Sequence, residues 1–377
     1  MFPMALFLAG CAMPGPDREF REEARRQPGQ AAWIRKVPLV SKFRAHGDLA
    51  PLAAALRFWG RSVRPGALSE PGADPRDLLS SEEALVRAVW RQNLWAYPCS
   101  GSAKRLKEWL RGGVPVLVRL RDPAPGEEEA YDALVTGYSD LRDVVLADTG
   151  RSGRTAIPSK DFFRRWRATD HRALIISPPQ YPRWELDAEE RVFRARYYEA
   201  AGQAVSAVLD YESALASGWS SPPMLVSLGN LYRGLGRSAD AEALYRRAIE
   251  EDPRLARAYN NLAYLLAEQN RELDEAIRLA RQALVLDPAN PLFMDTLGMA
   301  LMGRQRYQEA SDVLERAWGR SRWYPTRTQI EIGLRLARAH FHNRQEHLAA
   351  EVLREILSMD PRTPIPDELK PLAGPKR

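Results

Sequence analysis

A dipeptide that recurs at a nearly fixed interval constrains the fold of this 377-residue chain more than any other feature. Asp252-Pro253 and Asp287-Pro288 are 35 residues apart, and Asp360-Pro361 follows 73 residues later, close to two further periods. Proline cannot continue a helix, so each dipeptide marks a helix end. A period of about 20 to 50 residues is typical of a solenoid, in which each unit buries its apolar face against the next. The period therefore predicts an all-α array over residues 188–361.

Within one period, apolar and small residues follow a fixed order: Leu225, Leu228, Gly229 and Tyr232, then Ala241, Tyr245, Ala248 and Pro253. This order resembles the tetratricopeptide repeat. Gly229 and Ala241 are small where the two helices of a unit cross, and the tyrosines fill the space between the helices. We expect four to five units, with a degenerate first unit over residues 188–217. Residues 362–377 are expected to form a tail that contains proline and lysine.

Such repeats imply a concave groove lined by the first helix of each unit, and its side chains are expected to contact a peptide or a partner helix. The alternative is a solvated concave face without a fixed ligand. The repeat pattern places these residues in the groove: Asn230, Arg233, Asn260, Tyr264, Asp295, Met299, Met302, Arg338 and Phe341.

Residues 33–180 mix helical and strand patterns, and the Pro-rich segment Ser177–Pro182 separates them from the repeats. Helices come first and most strands follow, which is the order of an α+β domain. The helices are expected at Ala50–Trp59, Ser81–Gln92, Ala103–Arg111 and Asp161–Arg167, and the strands at 114–118, 133–138, 143–148 and 173–176.

Short motifs in this region occur in a recognisable order: Val37-Pro38, Pro51 to Gly60, Gly113-Val114-Pro115-Val116, Val135–Tyr138 and Ala147-Asp148. Residues 37–180 thereby resemble the bacteriocin-processing (double-glycine) cysteine peptidases. The resemblance implies a papain-like α+β domain. Its combination with tetratricopeptide repeats resembles a group of proteobacterial lipoproteins.

The resemblance also implies a lost active site. The family's nucleophilic cysteine falls on Leu49, its histidine on Tyr131, and its upstream glutamine near Lys42, so that only the orienting acid remains, as Asp148. Leucine has no nucleophilic atom, and a tyrosine with a pKa near 10 is a poor general base at neutral pH. Because nucleophile and base act as a unit, we expect no peptidase activity.

An active cysteine hydrolase with a relocated nucleophile is the alternative. It requires Cys99 to be accessible, to have a low pKa and to lie close to His46 or His171. No cofactor is expected, and His340, His342 and His347 in the last repeat are not expected to bind a metal.

An apolar run near the N-terminus ends in Leu8-Ala9-Gly10-Cys11. This tetrapeptide resembles a bacterial lipobox. The resemblance implies an acylated Cys11, and Ala12 after it resembles outer-membrane sorting. Residues 1–32 are then signal and tether, and the protein is an outer-membrane lipoprotein facing the periplasm. The alternative is an apolar N-terminus without a targeting role, and Met1 is not necessarily the true start.

Charge argues against a nucleic-acid partner. The net charge is +6, but the basic residues are spread among acidic ones rather than clustered. The sequence as a whole predicts a lipid-anchored envelope scaffold or adaptor that binds protein or peptide partners. An active peptidase using Cys99 is one alternative, and an assembly factor for a secretion, pilus or polysaccharide export system is another.

Overall fold

The computed structural model describes residues 17–40, 49–62, 68, 81–122, 130–150 and 153–374. The chain divides into two compact units, Met1–Ser213 and Ala214–Arg377.

An antiparallel sheet of seven strands forms the centre of the first unit. Its strand order is β2-β7-β3-β4-β5-β6, and the short β1 pairs with the last residues of β4. Because β5 pairs with those same residues of β4, β1 lies on the edge of β4 that β3 also occupies. The strands are β1 Ala31–Trp33, β2 Trp95–Ser100, β3 Val116–Leu120, β4 Tyr131–Ser139, β5 Val144–Asp148, β6 Arg154–Pro158 and β7 Arg172–Ser177.

The described residues of this unit form six helices that lie wholly within it: α1 Asp17–Arg26, α2 Ala50–Phe58, α3 Glu82–Trp90, α4 Ala103–Arg111, α5 Ser159–Arg167 and α6 Ala188–Ala200. The unit boundary falls within α7, Ala204–Ala216. Helix α2 packs on β3 and β4 and buries seven consecutive residues, Ala50–Leu56. Burial of these seven residues explains why the helix is apolar as far as Leu56, whereas Arg57 in its last turn is exposed. The α+β composition of the region is as predicted.

Residues 17–32 differ from the sequence prediction, which assigned them to a tether. Asp17–Arg26 is helical, and Ala31–Trp33 is a strand of the sheet. Phe20 is only 2% exposed, and Glu23 accepts a hydrogen bond from Nε of Arg142 at 2.9 Å. The apolar anchor, the ion pair and the pairing of β1 with β4 together hold a segment whose composition is that of a linker.

Helix α6 was predicted to begin the repeats, yet the structure fastens it to the first unit through a buried carboxylate. Glu190 is fully buried and forms an ion pair with Arg105 of α4. It also accepts hydrogen bonds from Nε1 of Trp109 and Nε1 of Trp184, both at 3.3 Å. Asp187 and Glu190 close a reciprocal capping box at the start of the helix.

Four helical hairpins build the second unit, as the period predicts. Their helices are α8 Pro222–Gly234, α9 Ser238–Glu251, α10 Ala256–Glu268, α11 Leu273–Leu286, α12 Pro291–Gly303, α13 Tyr307–Arg320, α14 Thr326–His342 and α15 Glu346–Met359. Gly229 faces Tyr245, and a Cβ there would lie 2.6 Å from the ring. Ala241 and Tyr245 are fully buried. The predicted close crossing of the two helices in this unit is therefore confirmed.

The C-terminal segment, expected as a tail, folds onto the last hairpin. Asp367–Ala373 forms a 3-10 helix, and Leu369 is fully buried in a cluster with Ala337, Leu353 and Ile356. A terminal segment that covers the last apolar face is what a solenoid requires for solubility. No helix within the described ranges combines the length and apolarity needed to cross a bilayer.

Candidate functional sites

Leu49 occupies the position that the sequence resemblance gives to a nucleophile. It directly precedes α2, and it is 3% exposed. An aliphatic side chain buried at the start of this helix cannot attack a substrate. Cys11, Lys42 and His46, which the sequence analysis also considered, lie outside the described residues.

Asp148, the predicted remnant acid, binds main-chain groups. Its Oδ2 accepts a hydrogen bond from N of Val40, and its Oδ1 accepts one from N of Gly150, each at 2.9 Å. The residue is 1% exposed at the end of β5. The carboxylate thus fixes two loops.

Tyr131 is the first residue of β4 and is half-buried. In the strand ladders it lies opposite Leu120, whereas Asp148 lies opposite Leu134, three residues farther along β4. The register therefore places Tyr131 and Asp148 near the same end of β4, and neither residue is a nucleophile.

Cys99 lies on the edge strand β2 in an environment that suppresses the thiolate. Burial raises the pKa of its thiol above the ordinary range, and the carboxylates of Glu190 and Glu189 raise it further, while Arg105 opposes them. A nucleophilic cysteine needs the reverse, a thiolate stabilised by nearby positive charge. The ring of His171 packs edge-on against Trp166, with centroids 5.2 Å apart.

The histidines of the last repeat have local partners. His340 Nδ1 lies 2.9 Å from Oε1 of Gln345, and His342 Nε2 lies 3.2 Å from Oε2 of Glu368. Within the described ranges, no group of three His, Cys, Asp or Glu side chains is arranged to hold a metal ion.

An asparagine relay connects α8 and α10, the first helices of two adjacent repeats. Asn230 Oδ1 accepts hydrogen bonds from Tyr245 Oη at 2.8 Å and from Nδ2 of Asn261 at 2.7 Å. Asn261 Oδ1 accepts in turn from Nδ2 of Asn260 at 3.3 Å. The relay fixes the orientation of the Asn260 amide, whose Oδ1 is buried.

Arg233 and Tyr264 stack across the same two helices. The Arg233 guanidinium lies 5.1 Å from the centroid of the Tyr264 ring, and it pairs with Glu268 at 3.4 Å. Burial raises the pKa of Tyr264. The phenol is therefore a neutral group at physiological pH.

A pocket of about 160 Å³ lies between α10, α12 and α14, which are first helices of consecutive repeats. Asp295 is 8% exposed, and one of its oxygens, Oδ2, pairs with Nη1 of Arg335. Burial raises the pKa of Asp295; Arg335 opposes this shift and Glu331 adds to it. The lining residues are Asn260, Tyr264, Leu292, Asp295, Thr296, Thr328, Glu331, Ile332 and Arg335.

The far end of the predicted groove is occupied by the chain itself. Arg338 Nε lies 2.5 Å from Oε1 of Glu368, and Phe341 packs against the cluster that contains Leu369. Met299 and Met302 of α12 are half-buried. The structure thus brings Asn260, Tyr264 and Asp295 together. It pairs Arg338 with the C-terminal segment and packs Phe341 against the cluster that this segment helps to form.

Sequence analysis missed the α14 side of the pocket. Thr328, Glu331 and Arg335 come from α14, which follows the connection at residues 321–325. The repeat pattern predicted Arg338 and Phe341 of α14 as groove residues but none nearer its start, because the connection breaks the period. A helical wheel of α14 that joined Thr328, Glu331, Ile332 and Arg335 on one face would have been the available signal.

Comparison with known proteins agrees with this geometry for the repeats. Residues 226–291 match the family model described as tetratricopeptide repeat. No curated protein matches the chain.

Several solved structures are similar to the repeat region. A chain of the APC/C hetero-tetramer Cut9-Hcn1 is 18% identical, with a TM-score of 0.43, over 50% of this chain and 36% of that chain. MamA from Desulfovibrio magneticus RS-1 is 15% identical, with a TM-score of 0.41, over 46% of this chain and 95% of its own. A thermophilic TPR protein of Thermus thermophilus is 18% identical, with a TM-score of 0.39, over 46% of this chain and 92% of its own.

The C-terminal part is therefore a solenoid of tetratricopeptide repeats, a scaffold whose concave surface generally serves to bind other proteins.

Proposed function

We propose that this chain is an adaptor of the cell envelope that binds a segment of a partner protein on the concave face of its repeats. The pocket between α10, α12 and α14 carries this proposal, because three first helices contribute polar and aromatic side chains to one concavity. Such side chains orient an extended peptide or a helix better than an apolar surface does.

The proposal assigns the first unit a papain-like scaffold that recognises a polypeptide without cleaving it. Buried Leu49 at the start of α2 supports this role, and so does the use of both Asp148 oxygens by main-chain N–H groups. Cys99 offers no substitute nucleophile, because its surroundings favour the neutral thiol.

Peptide selection tests the adaptor role. A random peptide library is panned against the full chain carrying Cys11→Ser, which removes the acylation position. Selected peptides are then measured by fluorescence anisotropy against Tyr264→Ala in the pocket. Val285→Ser is the matched control, since Val285 lies on the second helix of its repeat and is 72% exposed.

We expect peptides that bind the parent and Val285→Ser equally and that bind Tyr264→Ala at least tenfold more weakly. A selection without enrichment, or peptides that bind Tyr264→Ala as tightly as the parent, would contradict the adaptor role at this surface.

The membrane anchor is proposed from the Leu-Ala-Gly-Cys motif alone. One acyl chain gives weak membrane binding, whereas several chains on one residue hold a protein firmly. The wild-type chain, expressed in a Gram-negative host with an added signal sequence, is expected to fractionate with the outer membrane. Cys11→Ser is expected in the periplasmic fraction, and equal distribution of both proteins would refute the anchor.

A further inference from the structure

Two buried oxygens on pocket-lining residues have no hydrogen-bond partner within the described part of the chain. They are Oδ1 of Asn260 and Oδ1 of Asp295. A buried acceptor without a partner costs about 1–3 kcal/mol. Two such atoms on the lining of one concavity indicate a site whose donors come from a ligand.

The hydrogen bonds of the asparagine relay leave the Oδ1 acceptor of Asn260, rather than its amide nitrogen, without a partner among the described residues. Asn261 donates its Nδ2 to Asn230 and therefore presents Oδ1 to Asn260. Asn260 must then use its Nδ2 toward Asn261, which leaves Oδ1 for the pocket. The relay thus selects a ligand that donates hydrogen bonds.

The charge of the lining selects a cationic donor. Asp295 and Glu331 are acidic, and Arg335 is the one basic residue among the lining residues. Arg335 pairs with Oδ2 of Asp295 and leaves the second oxygen of that carboxylate unpaired. With all three ionised, the lining residues carry one net negative charge, but Glu331 also pairs with the exposed Arg327 at 3.1 Å. The acceptor that remains is the unpaired oxygen of Asp295, which an ammonium or guanidinium group can bind.

The volume of the pocket limits the ligand to one side chain. A site for a drug-sized molecule occupies about 300–1,000 Å³, whereas this pocket measures about 160 Å³. The Tyr264 ring on the wall already stacks with one guanidinium, that of Arg233. The end of a lysine or arginine side chain fits these dimensions and this chemistry.

We propose that this pocket is a specificity subsite that binds a lysine or arginine side chain of the partner segment. This inference rests on the proposed adaptor function. It goes further in naming the residue type that the partner must present. Asp295 and Asn260 accept the hydrogen bonds, and Glu331 contributes charge at the rim.

The experiment starts from the peptides selected on the Cys11→Ser chain as described above. We expect nearly all groove-binding peptides to contain a lysine or arginine whose replacement by norleucine weakens binding at least tenfold. Asp295→Asn in the protein is expected to weaken the basic peptide at least tenfold and the norleucine peptide less than twofold. Glu331→Gln, at an exposed position that tolerates change, is expected to weaken the basic peptide about threefold, and Val285→Ser is expected to have no effect.

The pH dependence gives an independent readout. Arg335 and Glu331 of α14 and Tyr264 of α10 face Asp295, and the pKa of Asp295 is raised mainly by burial. Binding of the basic peptide is expected to strengthen as the pH rises through that pKa, and Asp295→Asn is expected to remove this dependence. Binding of the norleucine peptide is expected to stay constant.

The outcomes separate the two hypotheses. Peptides that need Tyr264 but no basic residue, or that bind Asp295→Asn and the parent equally, overturn the basic subsite and leave the adaptor role intact. A library that yields no peptide dependent on Tyr264 overturns both. Competition by free spermidine at the affinity of the selected peptides would show a site for small amines and would also overturn the subsite.

Discussion

Packing leaves no room for a side chain at Gly229. A Cβ at this position would lie 2.6 Å from Cε1 of Tyr245, which is fully buried and donates its hydroxyl to Asn230. Alanine is better than glycine in a helix by about 1 kcal/mol, but overpacking a core costs about 1–3 kcal/mol. We expect Gly229→Ala to lower the free energy of unfolding of the second unit by about 1 kcal/mol, measured by urea denaturation.

Gly234→Ala is the matched control in the same helix. No heavy atom lies within 4 Å of a Cβ built there. This substitution is expected to leave the free energy of unfolding unchanged or to raise it slightly. Equal stability of the Gly229→Ala chain and the parent would show that the Tyr245 ring has room to move.

For single residues, the sequence predicts which side chains are buried better than it predicts their hydrogen-bond and ion-pair partners. Gly229 and Tyr245 lie in adjacent helices of one repeat, so the helical period alone places them in contact. Asp148 was predicted as a site residue, yet its partners include Val40, 108 residues away, which no local pattern connects to it. Arg335 was missed because it meets Asp295 across 40 residues and an irregular connection.

The Glu190 carboxylate is one of several attachments of helix α6 to the first unit, beside the aromatic contacts of Phe193 with Tyr97 and of Tyr197 with Trp90. Removing Glu190 takes the acceptor from the indole N–H groups of Trp109 and Trp184. It also removes one of three carboxylate partners of Arg105, and Glu108 and Asp187 remain. Breaking a buried pair by deleting one partner costs about 3–5 kcal/mol. We expect Glu190→Ala to destabilise the first unit by about 3 kcal/mol in urea denaturation followed by tryptophan fluorescence. Glu189→Ala, an exposed neighbour, is expected to change stability by less than about 0.5 kcal/mol.

The same carboxylate makes stability depend on pH. Burial raises the pKa of Glu190 above its ordinary value of 4.5, against the opposing effect of Arg105. A raised pKa means that the folded state binds the proton more tightly than the unfolded state does. The stabilisation that Glu190 gains from protonation is therefore fully present below pH 4.5, and it is lost as the pH rises through the pKa of Glu190 in the folded state. Glu190→Gln is expected to flatten this part of the stability profile, and an unchanged slope would contradict the assignment to Glu190.

Elements with local start and stop signals were predicted with accurate bounds, and elements defined by pairing were not. Helix α4 begins after Ser102, whose side chain accepts from N of Arg105, and it ends before Gly112-Gly113, so its bounds match the prediction. Strand β2 was missed because it contains Pro98, and proline is tolerated here only because β2 lies at the sheet edge. Strand β1 is three residues long, and its pairing with β4 defines it.

At the scale of the whole molecule, buried carboxylates of the two units differ in their partners. The carboxylates of Asp148 and Glu190 in the first unit bind main-chain N–H groups, indoles and a guanidinium. On the concave face of the repeats, Asp295 keeps one carboxylate oxygen without a partner among the described residues. This difference between carboxylates supports the recognition surface that we propose on the repeats.

A thiol-labelling experiment on the intact chain tests the alternative that Cys99 is the nucleophile of a hydrolase. Cys11→Ser leaves Cys99 as the single thiol, and burial together with Glu190 and Glu189 raises its pKa. Because the thiolate is the reactive form, we expect iodoacetamide at about pH 8 to label the native chain at least tenfold more slowly than the urea-unfolded chain. The matched control carries Cys99→Ser and Ser100→Cys, which moves the thiol one residue to an exposed position, and its native labelling rate is expected to approach the unfolded rate. Native Cys99 that reacts faster than the unfolded chain would identify an activated nucleophile and would restore the hydrolase hypothesis.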